Sequence, residues 1–450
     1  MQDDKAAMTA REAAFRALSG FRQSKSLNGT FDLLNTDNGG IQARDMALAT
    51  RICIGVVSNM TLCDYYISFF SAVGIKNIEP RALDILRLTV YQLIFMNRIP
   101  QSAAVNEGVA LAKKYISARA SGFINAVARK IANAAGTGSL PDITGSAAER
   151  LSIEYSHPKW FVNEILGALG DEGAKALLAA NNDPDVPLTA QVNTLRTDTG
   201  AVLSRLISQG VEASIHERFG GCITIRGAGR PDRLGPFIDG HIYIQDAAAR
   251  LAVAAAAPEP GDFVIDGCAA PGGKSFAAAI AMRNTGRICA FDVSEEKLLN
   301  ISSGAKRLGI GIIETFVRNA ADSTIYKKAD IVFADVPCSG FGTIRKKPEI
   351  RYKTQRDISG LPEKQKEILK GLSAYVVDGG VLLYSTCSVL RRENENVIEW
   401  FLSENTGFSA EGFSLPGIGA VPSGMITLWP HIHGTDGFFI CRMRKMKENS

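Results

Sequence analysis

Four short apolar runs separated by helical stretches restrict the second half of this chain to one broad architecture. They lie at residues 263–266, 287–292, 331–335 and 381–385. A short apolar run without polar alternation is the mark of a strand covered on both faces. Strands of this kind alternating with helices build a mostly parallel, doubly wound sheet. A closing strand is predicted at Gly437-Phe438-Phe439-Ile440-Cys441-Arg442-Met443. Ligands bind such sheets at the carboxyl ends of the strands. Two of the runs lead there into cysteines, through Asp335-Val336-Pro337-Cys338 and Ser385-Thr386-Cys387. Both thiols are therefore predicted to face one crevice.

The first run opens into Gly267-Cys268-Ala269-Ala270-Pro271-Gly272-Gly273-Lys274-Ser275, and a helical pattern starts near Phe276. A strand, a small-residue turn and a helix amino terminus make a cradle for a nucleoside cofactor. Asp292 closes the next strand, nineteen residues after Gly273. That position suits a carboxylate accepting from ribose hydroxyls. A phosphate-binding P-loop is the rival reading, since only Cys268 departs from its pattern. It would explain neither the acid at the next strand end nor the two later cysteines.

A thiol beside a methyl-donor cofactor has a defined use on a pyrimidine. C5 of cytosine is too electron-poor to take a methyl group unaided. A thiolate adding to C6 makes C5 nucleophilic, and a base then removes the C5 proton so that the thiol can leave. Such a thiol must be accessible and partly ionised. Asp335, three residues before Cys338, is placed to contact N3 or the exocyclic amine. For Cys53, Cys63, Cys222, Cys289 and Cys441 the expected role is that of small buried hydrophobes. Cys268 is expected to be positioned by its backbone rather than to react.

The segment after Cys338 is glycine-hinged and then basic, with Arg345, Lys346, Lys347, Arg351 and Lys353 against Glu349 alone. Beside an active site it is a candidate contact for RNA phosphates. The front of the chain is helical instead. Leu83, Leu86, Val90 and Leu93 share one helical face, with Pro80 at a natural first turn. Gly136-Thr137-Gly138-Ser139-Leu140-Pro141 makes a credible linker. Residues 1–145 hold 16 Lys/Arg against 11 Asp/Glu, and the rest 34 against 35, so the front carries the excess positive charge. A polyanion contact and a solvated helical surface without a partner are the two readings left open there. No apolar stretch reaches the length of a membrane span, and the polar start Met1-Gln2-Asp3-Asp4-Lys5 predicts no secretion. Scattered cysteines without Cys-x-x-Cys spacing point to a reducing cytoplasm and to no metal site.

Taken together, the cofactor loop at 268–274, Asp335 to Cys338, Ser385 to Cys387, Glu393-Asn394-Glu395 and Asp436-Gly437-Phe438-Phe439 resemble the Sun-type bacterial RNA cytosine-5 methyltransferases, in the branch acting on 16S ribosomal RNA. The front resembles an RNA-binding domain of the NusB type at Ala10-Arg11, Tyr91-Gln92-Leu93, Val105-Asn106-Glu107-Gly108-Val109 and Gly122-Phe123-Ile124-Asn125. Tyr155-Ser156-His157-Pro158-Lys159-Trp160 and Gln191-Val192-Asn193 match the middle segment. The resemblance implies a multi-domain chain. An all-α bundle occupies residues 1–140, and a small α+β RNA-recognition segment residues 149–240. Residues 241–450 then form an α/β, Rossmann-like methyltransferase domain with a mostly parallel seven-stranded sheet. It implies Cys387 as nucleophile and Cys338 as its helper in release. S-adenosylmethionine is the implied cofactor, held by Cys268, Ala269, Ala270, Pro271, Gly272, Gly273, Lys274, Asp292 and Asp335. A further contact falls on Asp322, with Asn319 as the alternative. The implied substrate is 16S rRNA or a small-subunit assembly intermediate, with no membrane and no obligatory protein partner. Transfer RNA is the alternative substrate, and an assembly scaffold with an inert methylase half the alternative class.

Overall fold

A computed structural model describes residues 8–24, 27, 41–227, 229–322, 324 and 327–447. The polar start at 1–5 lies outside the described residues. The chain groups into two compact units, one holding the described residues up to Pro184 together with Ile344–Lys353, the other Asp185–Thr343 with Thr354 onward. The two helices after the linker group with the first unit, and the small sheet that follows groups with the second.

The first unit is helical. Its helices are α1 (Ala10–Ser24), α2 (Ala43–Ser58), α3 (Met60–Phe70), α4 (Pro80–Phe95), α5 (Gln101–Tyr115), α6 (Ala118–Thr137), α7 (Ala147–Glu154) and α8 (Lys159–Asn181). Local chemistry sets their ends. Glu79 accepts from the amides of Arg81 and Ala82 ahead of Pro80, and Ser146 with Glu149 forms a reciprocal capping box. Helix α8 is broken at Gly170, which takes φ 68°. Ala13, Phe15, Ile52, Val56, Ile85, Leu86, Val90, Ile124 and Ile131 are all buried in one core.

Arg351 sits inside this unit and corrects an expectation. Its side chain is 1% exposed, so it cannot meet RNA as the basic run implied. The guanidinium donates to the carbonyls of Ser58, Tyr155 (3.3 Å) and Ser156 (3.3 Å) and to Asn182 Oδ1 (2.8 Å), while its Nε donates to the Pro348 carbonyl. Buried His157 adjoins it, with Nδ1 on the Tyr155 carbonyl and Nε2 facing Asn181 Nδ2. Burial first, then the Arg351 charge, hold His157 neutral. The stretch from Tyr155 to His157 is therefore a structural joint for the returning segment. Arg351→Ala is expected to leave several buried acceptors unpaired and to cost about 3 kcal/mol or more. Thermal melting would show this as a drop of several degrees, and an unchanged melt would contradict it.

The second unit opens with a four-stranded antiparallel sheet in the order β2 (Glu212–Ile215), β3 (Cys222–Arg226), β1 (Leu188–Val192), β4 (Ile242–Ile244). Gln191 and Asn193 are buried, and Asn193 donates to the carbonyls of Gly240 and Leu308, both at 2.9 Å. The large sheet follows, with β5 (Phe263–Asp266), β6 (Arg287–Asp292), β7 (Ile313–Val317), β8 (Ala329–Asp335) and β9 (Val376–Thr386) parallel in the order 7-6-5-8-9. Strand β14 (Phe438–Lys445) joins β9 antiparallel. Its outer edge is shared by β10 (Phe408–Ala410) and β13 (Met425–Leu428), while β11 (Phe413–Leu415) and β12 (Gly419–Val421) form a separate hairpin. The sheet thus has seven positions, the last split between two short strands. Helices α9 (Ala247–Ala256), α10 (Gly273–Ala281) and α11 (Glu295–Leu308) share one core with Ile288, Ile331 and Leu383. Helices α12 (Leu361–Ser373) and α13 (Glu395–Glu404) share another with Ile265, Val332 and Leu382. Cover on both faces explains why these strands read as continuous apolar runs. No single helix among the described residues is long and apolar enough to cross a membrane.

Candidate active site

Strand register brings the thiols together. Asp335 pairs with Ser385 at the matched carboxyl ends of the parallel strands β8 and β9. Both chains then turn away, and Cys338 Sγ and Cys387 Sγ come to lie 2.8 Å apart. Gly342 packs against this turn, where its amide donates to the Cys387 carbonyl at 2.9 Å. A Cβ there would stand 1.8 Å from the Gly437 carbonyl oxygen, so only glycine allows the approach. Asp436-Gly437 of the expected closing motif thus fixes the backbone of a thiol loop. The Cys338 thiol is pushed up first by its contact with Cys387, then by burial. Either sulfur can donate in this contact, so the pair shares a proton between two closely spaced thiols. The five cysteines expected to be inert are all buried. Cys268 is half-buried in the loop, and burial pushes its thiol up as well.

Asp335 does not stand alone. Its Oδ2 accepts from Lys274 Nζ at 2.6 Å and its Oδ1 from Ser385 Oγ at 2.7 Å. Lys274 is buried at the start of α10, with its ammonium 5.0 Å from the centre of the Phe438 ring. The loop residues expected to hold the cofactor are therefore joined to the strand-end acid by an ion pair.

The cradle is tight. Gly267 lies where a Cβ would stand 2.4 Å from Leu372, and Gly272 has φ 101°. Both positions need glycine, one for space and one for its backbone. A cavity of ≈ 740 Å³ lies against the loop, bordered by Asp266, Ala269, Ala270, Pro271, Gly273, Lys274 and Asp335. Asp266 was not singled out in the sequence. It is fully buried, Ser275 Oγ donates to its Oδ2 at 2.7 Å, and its Oδ1 has no hydrogen-bond partner. An unpaired buried acceptor beside a cavity fits a ligand bearing N–H donors. The available signal was its place, as a polar residue ending an apolar strand.

Burial pushes the Asp266 carboxyl up to about 6, against the pull of Ser275. The native state then holds a proton that the unfolded chain releases nearer 3.8, so stability is expected to fall as pH rises from about 4 to about 6. Asp266→Asn should remove that slope and stabilise the unliganded protein at pH 7 by an order of 2–3 kcal/mol. Unfolding measured across pH 4–7 would reveal the difference, and parallel curves for the two proteins would contradict it.

Asp292 ends β6, where its Oδ1 accepts from the Ser294 amide at 3.0 Å. Next to it Val293 is 69% exposed, an apolar side chain left open beside the expected ribose contact. Asp322 is exposed, and its Oδ1 accepts from both the amide and the hydroxyl of Thr324. Those two bonds hold its carboxyl below the usual range. Asn319 stands nearer the end of β7, and its Oδ1 caps the Ala321 amide at 3.1 Å. Lys346 and Lys347 are exposed and Arg345 half-buried, all three grouped with the first unit.

Comparison with known proteins identifies the family. Residues 253–444 match a family model described as 16S rRNA methyltransferase RsmB/F, residues 8–133 match the NusB family, and residues 157–230 match an RsmF/B-like ferredoxin-like domain. The chain is 33% identical to the probable ribosomal RNA small subunit methyltransferase B of Bacillus subtilis, covering 97% of this chain and 98% of that protein. The ribosomal RNA small subunit methyltransferase B of Klebsiella pneumoniae is 28% identical over 90% of this chain and 92% of its own. The crystal structure of PH0851 superimposes with a TM-score of 0.78 at 27% identity, covering 97% of this chain and 98% of that one. A methyltransferase homologue from Pyrococcus horikoshii gives 0.58 at 29% identity, over 67% of this chain and all of its own. With a relative this similar along nearly its whole length, the chain belongs to the RsmB/F family of S-adenosylmethionine-dependent ribosomal RNA methyltransferases.

Proposed function

We propose that this protein methylates C5 of a cytosine in 16S ribosomal RNA through a covalent adduct on Cys387. The observation that carries the reading is the pair of thiols meeting 2.8 Å apart at the ends of β8 and β9. A single thiol could add to a pyrimidine, but a pair also provides the base that ends the reaction.

The cradle fits S-adenosylmethionine. Its ammonium matches the unpaired Asp266 Oδ1, its carboxylate the amide end of α10, and its ribose Asp292. Val293 and Asp322 are the residues we assign to the adenine side, with Asn319 as the alternative to Asp322. When bound, the cofactor supplies an electrophilic methyl group. Cys387 bonds through sulfur to C6 and makes C5 the attacking atom. Asp335, held by Lys274 and Ser385, keeps acceptor capacity for the exocyclic amine or a protonated N3. After methylation the C5 proton must leave. Bonding of the Cys387 sulfur to carbon ends the sharing of a proton between the two thiols. Cys338 gives its own thiol proton to solvent and accepts the C5 proton in its place, and the Cys387–C6 bond breaks to restore the Cys387 thiolate.

The target base must be unstacked, because C6 and C5 are shielded within a helix. Lys346, Lys347 and Arg345 are the phosphate contacts we assign, and the cytoplasm is the site of action. Bisulfite sequencing of 16S rRNA from cells with and without the gene tests the substrate. One 5-methylcytosine should disappear with the gene. If all 16S sites persist and a transfer RNA site is lost instead, the substrate assignment is wrong.

A further inference from the structure

Behind the two thiols lies a buried polar cluster that the chemistry above does not use. Its centre is Glu393, fully buried in a short turn just before α13. One carboxylate oxygen, Oε2, accepts from the Ser339 amide at 2.8 Å, and the other, Oε1, accepts from Ser388 Oγ at 2.9 Å. Ser339 directly follows Cys338, and Ser388 directly follows Cys387. A single side chain therefore grips the residue after each thiol, one oxygen apiece. The two serine hydroxyls also meet each other at 3.2 Å.

The neighbours complete the frame. Gln365, buried on α12, donates from Nε2 to Glu393 Oε2 and to the Pro337 carbonyl, both at 3.0 Å. Cys338 is thus held from the residue before it and the residue after it. All three groups aimed at the Glu393 carboxylate are donors, which is the arrangement an acceptor-only carboxylate requires. Burying a carboxylate without a cation costs several kcal/mol unless such donors satisfy it. That expense is hard to explain by packing alone.

The two thiols depend on this frame unequally. Cys387 follows Thr386, which is still paired in the sheet opposite Phe439 and is bonded to Asn394 at 2.6 Å. Cys338 lies three residues past the end of β8, beyond any strand pairing. Without Glu393 the Cys338 turn loses its amide anchor, while Cys387 keeps its strand.

We infer that Glu393 is the positioning residue of the thiol pair, holding Cys338 against Cys387 so that proton removal and release can follow adduct formation. The inference rests on the covalent reading above. Its charge also adds to the causes that keep the Cys338 thiol protonated in the resting pair. Loss of the frame should slow the second half of the reaction more than the first.

Glu393→Gln is the near-isosteric test, assayed on the full-length protein with transcribed 16S rRNA and S-adenosylmethionine. Multiple-turnover kcat should fall on the order of 100-fold, the cost of misplacing a reacting group by about an ångström. KM for RNA and cofactor affinity should stay within about twofold. Protein–RNA adduct that survives denaturing electrophoresis should accumulate, as it should in Cys338→Ala. Ser388→Ala, which removes one of the three donors, should show the same pattern more weakly. A readout independent of turnover is disulfide formation between Cys338 and Cys387 under diamide, followed by peptide mapping. It should be fast in the parent protein and at least tenfold slower in Glu393→Gln. Turnover within twofold of the parent, or equal cross-linking rates, would overturn the inference. A parent that methylates while Cys338→Ala retains no adduct would instead remove the covalent release step, and the inference with it.

Discussion

Cys387→Ala should abolish methylation, with a loss on the order of 10⁴-fold or more, and should form no covalent complex with RNA. Losses of this size follow removal of a nucleophile from a mechanism built around it. Cofactor binding should survive, because the loop from Gly267 to Ser275 reaches its shape through Phe291, Phe333 and Leu372 and not through either thiol. Cys338→Ala should behave differently. It leaves the attacking sulfur in place and removes the base, so adduct should build up while turnover falls. The sheet brings the ends of the two parallel strands level, with Asp335 beside Ser385, but does not by itself assign the roles of the thiols. Their inequality rests on the family resemblance, which gives Cys387 the place of the nucleophile. If Cys338→Ala lost adduct formation while Cys387→Ala kept full turnover, the roles would be reversed.

The parts of the fold that were legible in sequence are those whose burial is uniform. Strands β5, β6, β8 and β9 announce themselves because helices cover both of their faces. Strand β7 does not, because Phe316 and Val317 are exposed at the sheet edge and no continuous apolar run results. The start of β9 at Val376 was also hidden. Asp378, Gly379 and Gly380 read as a turn, yet Gly379 at φ 79° carries the strand through a bend. The site followed the same rule. The cofactor loop and both thiols sit in contiguous motifs, and their meeting could be argued from strand ends. Arg351 could not, because an arginine inside a basic run looks like a phosphate contact. Only its distant neighbours Ser58, Ser156 and Asn182 reveal that it is a core residue. Asp266 and Glu393 were obscure for a related reason. A buried carboxylate is recognised by its donors, and those come from elsewhere in the chain.

Asp335→Asn is the second large effect expected, with kcat reduced on the order of 10³-fold. The scale is that of removing one fixed polar group that stabilises charge developing in a reaction. Asparagine can keep the bond from Ser385 by turning its oxygen that way. Its amide then faces Lys274, donor against donor, where the carboxylate had accepted at 2.6 Å. Lys274, only 8% exposed, would lose the carboxylate that accepts its hydrogen bond. The start of α10 then loses its ion pair to the end of β8. Two losses therefore coincide: the acceptor at the cytosine edge, and the bond between cofactor loop and strand end. A double-mutant cycle with Lys274→Met separates them. If the pair acts as a unit, adding Lys274→Met to Asp335→Asn should cost less than about threefold more. Full additivity would mean that the two residues serve separate steps. An Asp335→Asn protein within tenfold of the parent would remove Asp335 from the chemistry and leave it the simpler task of anchoring Lys274.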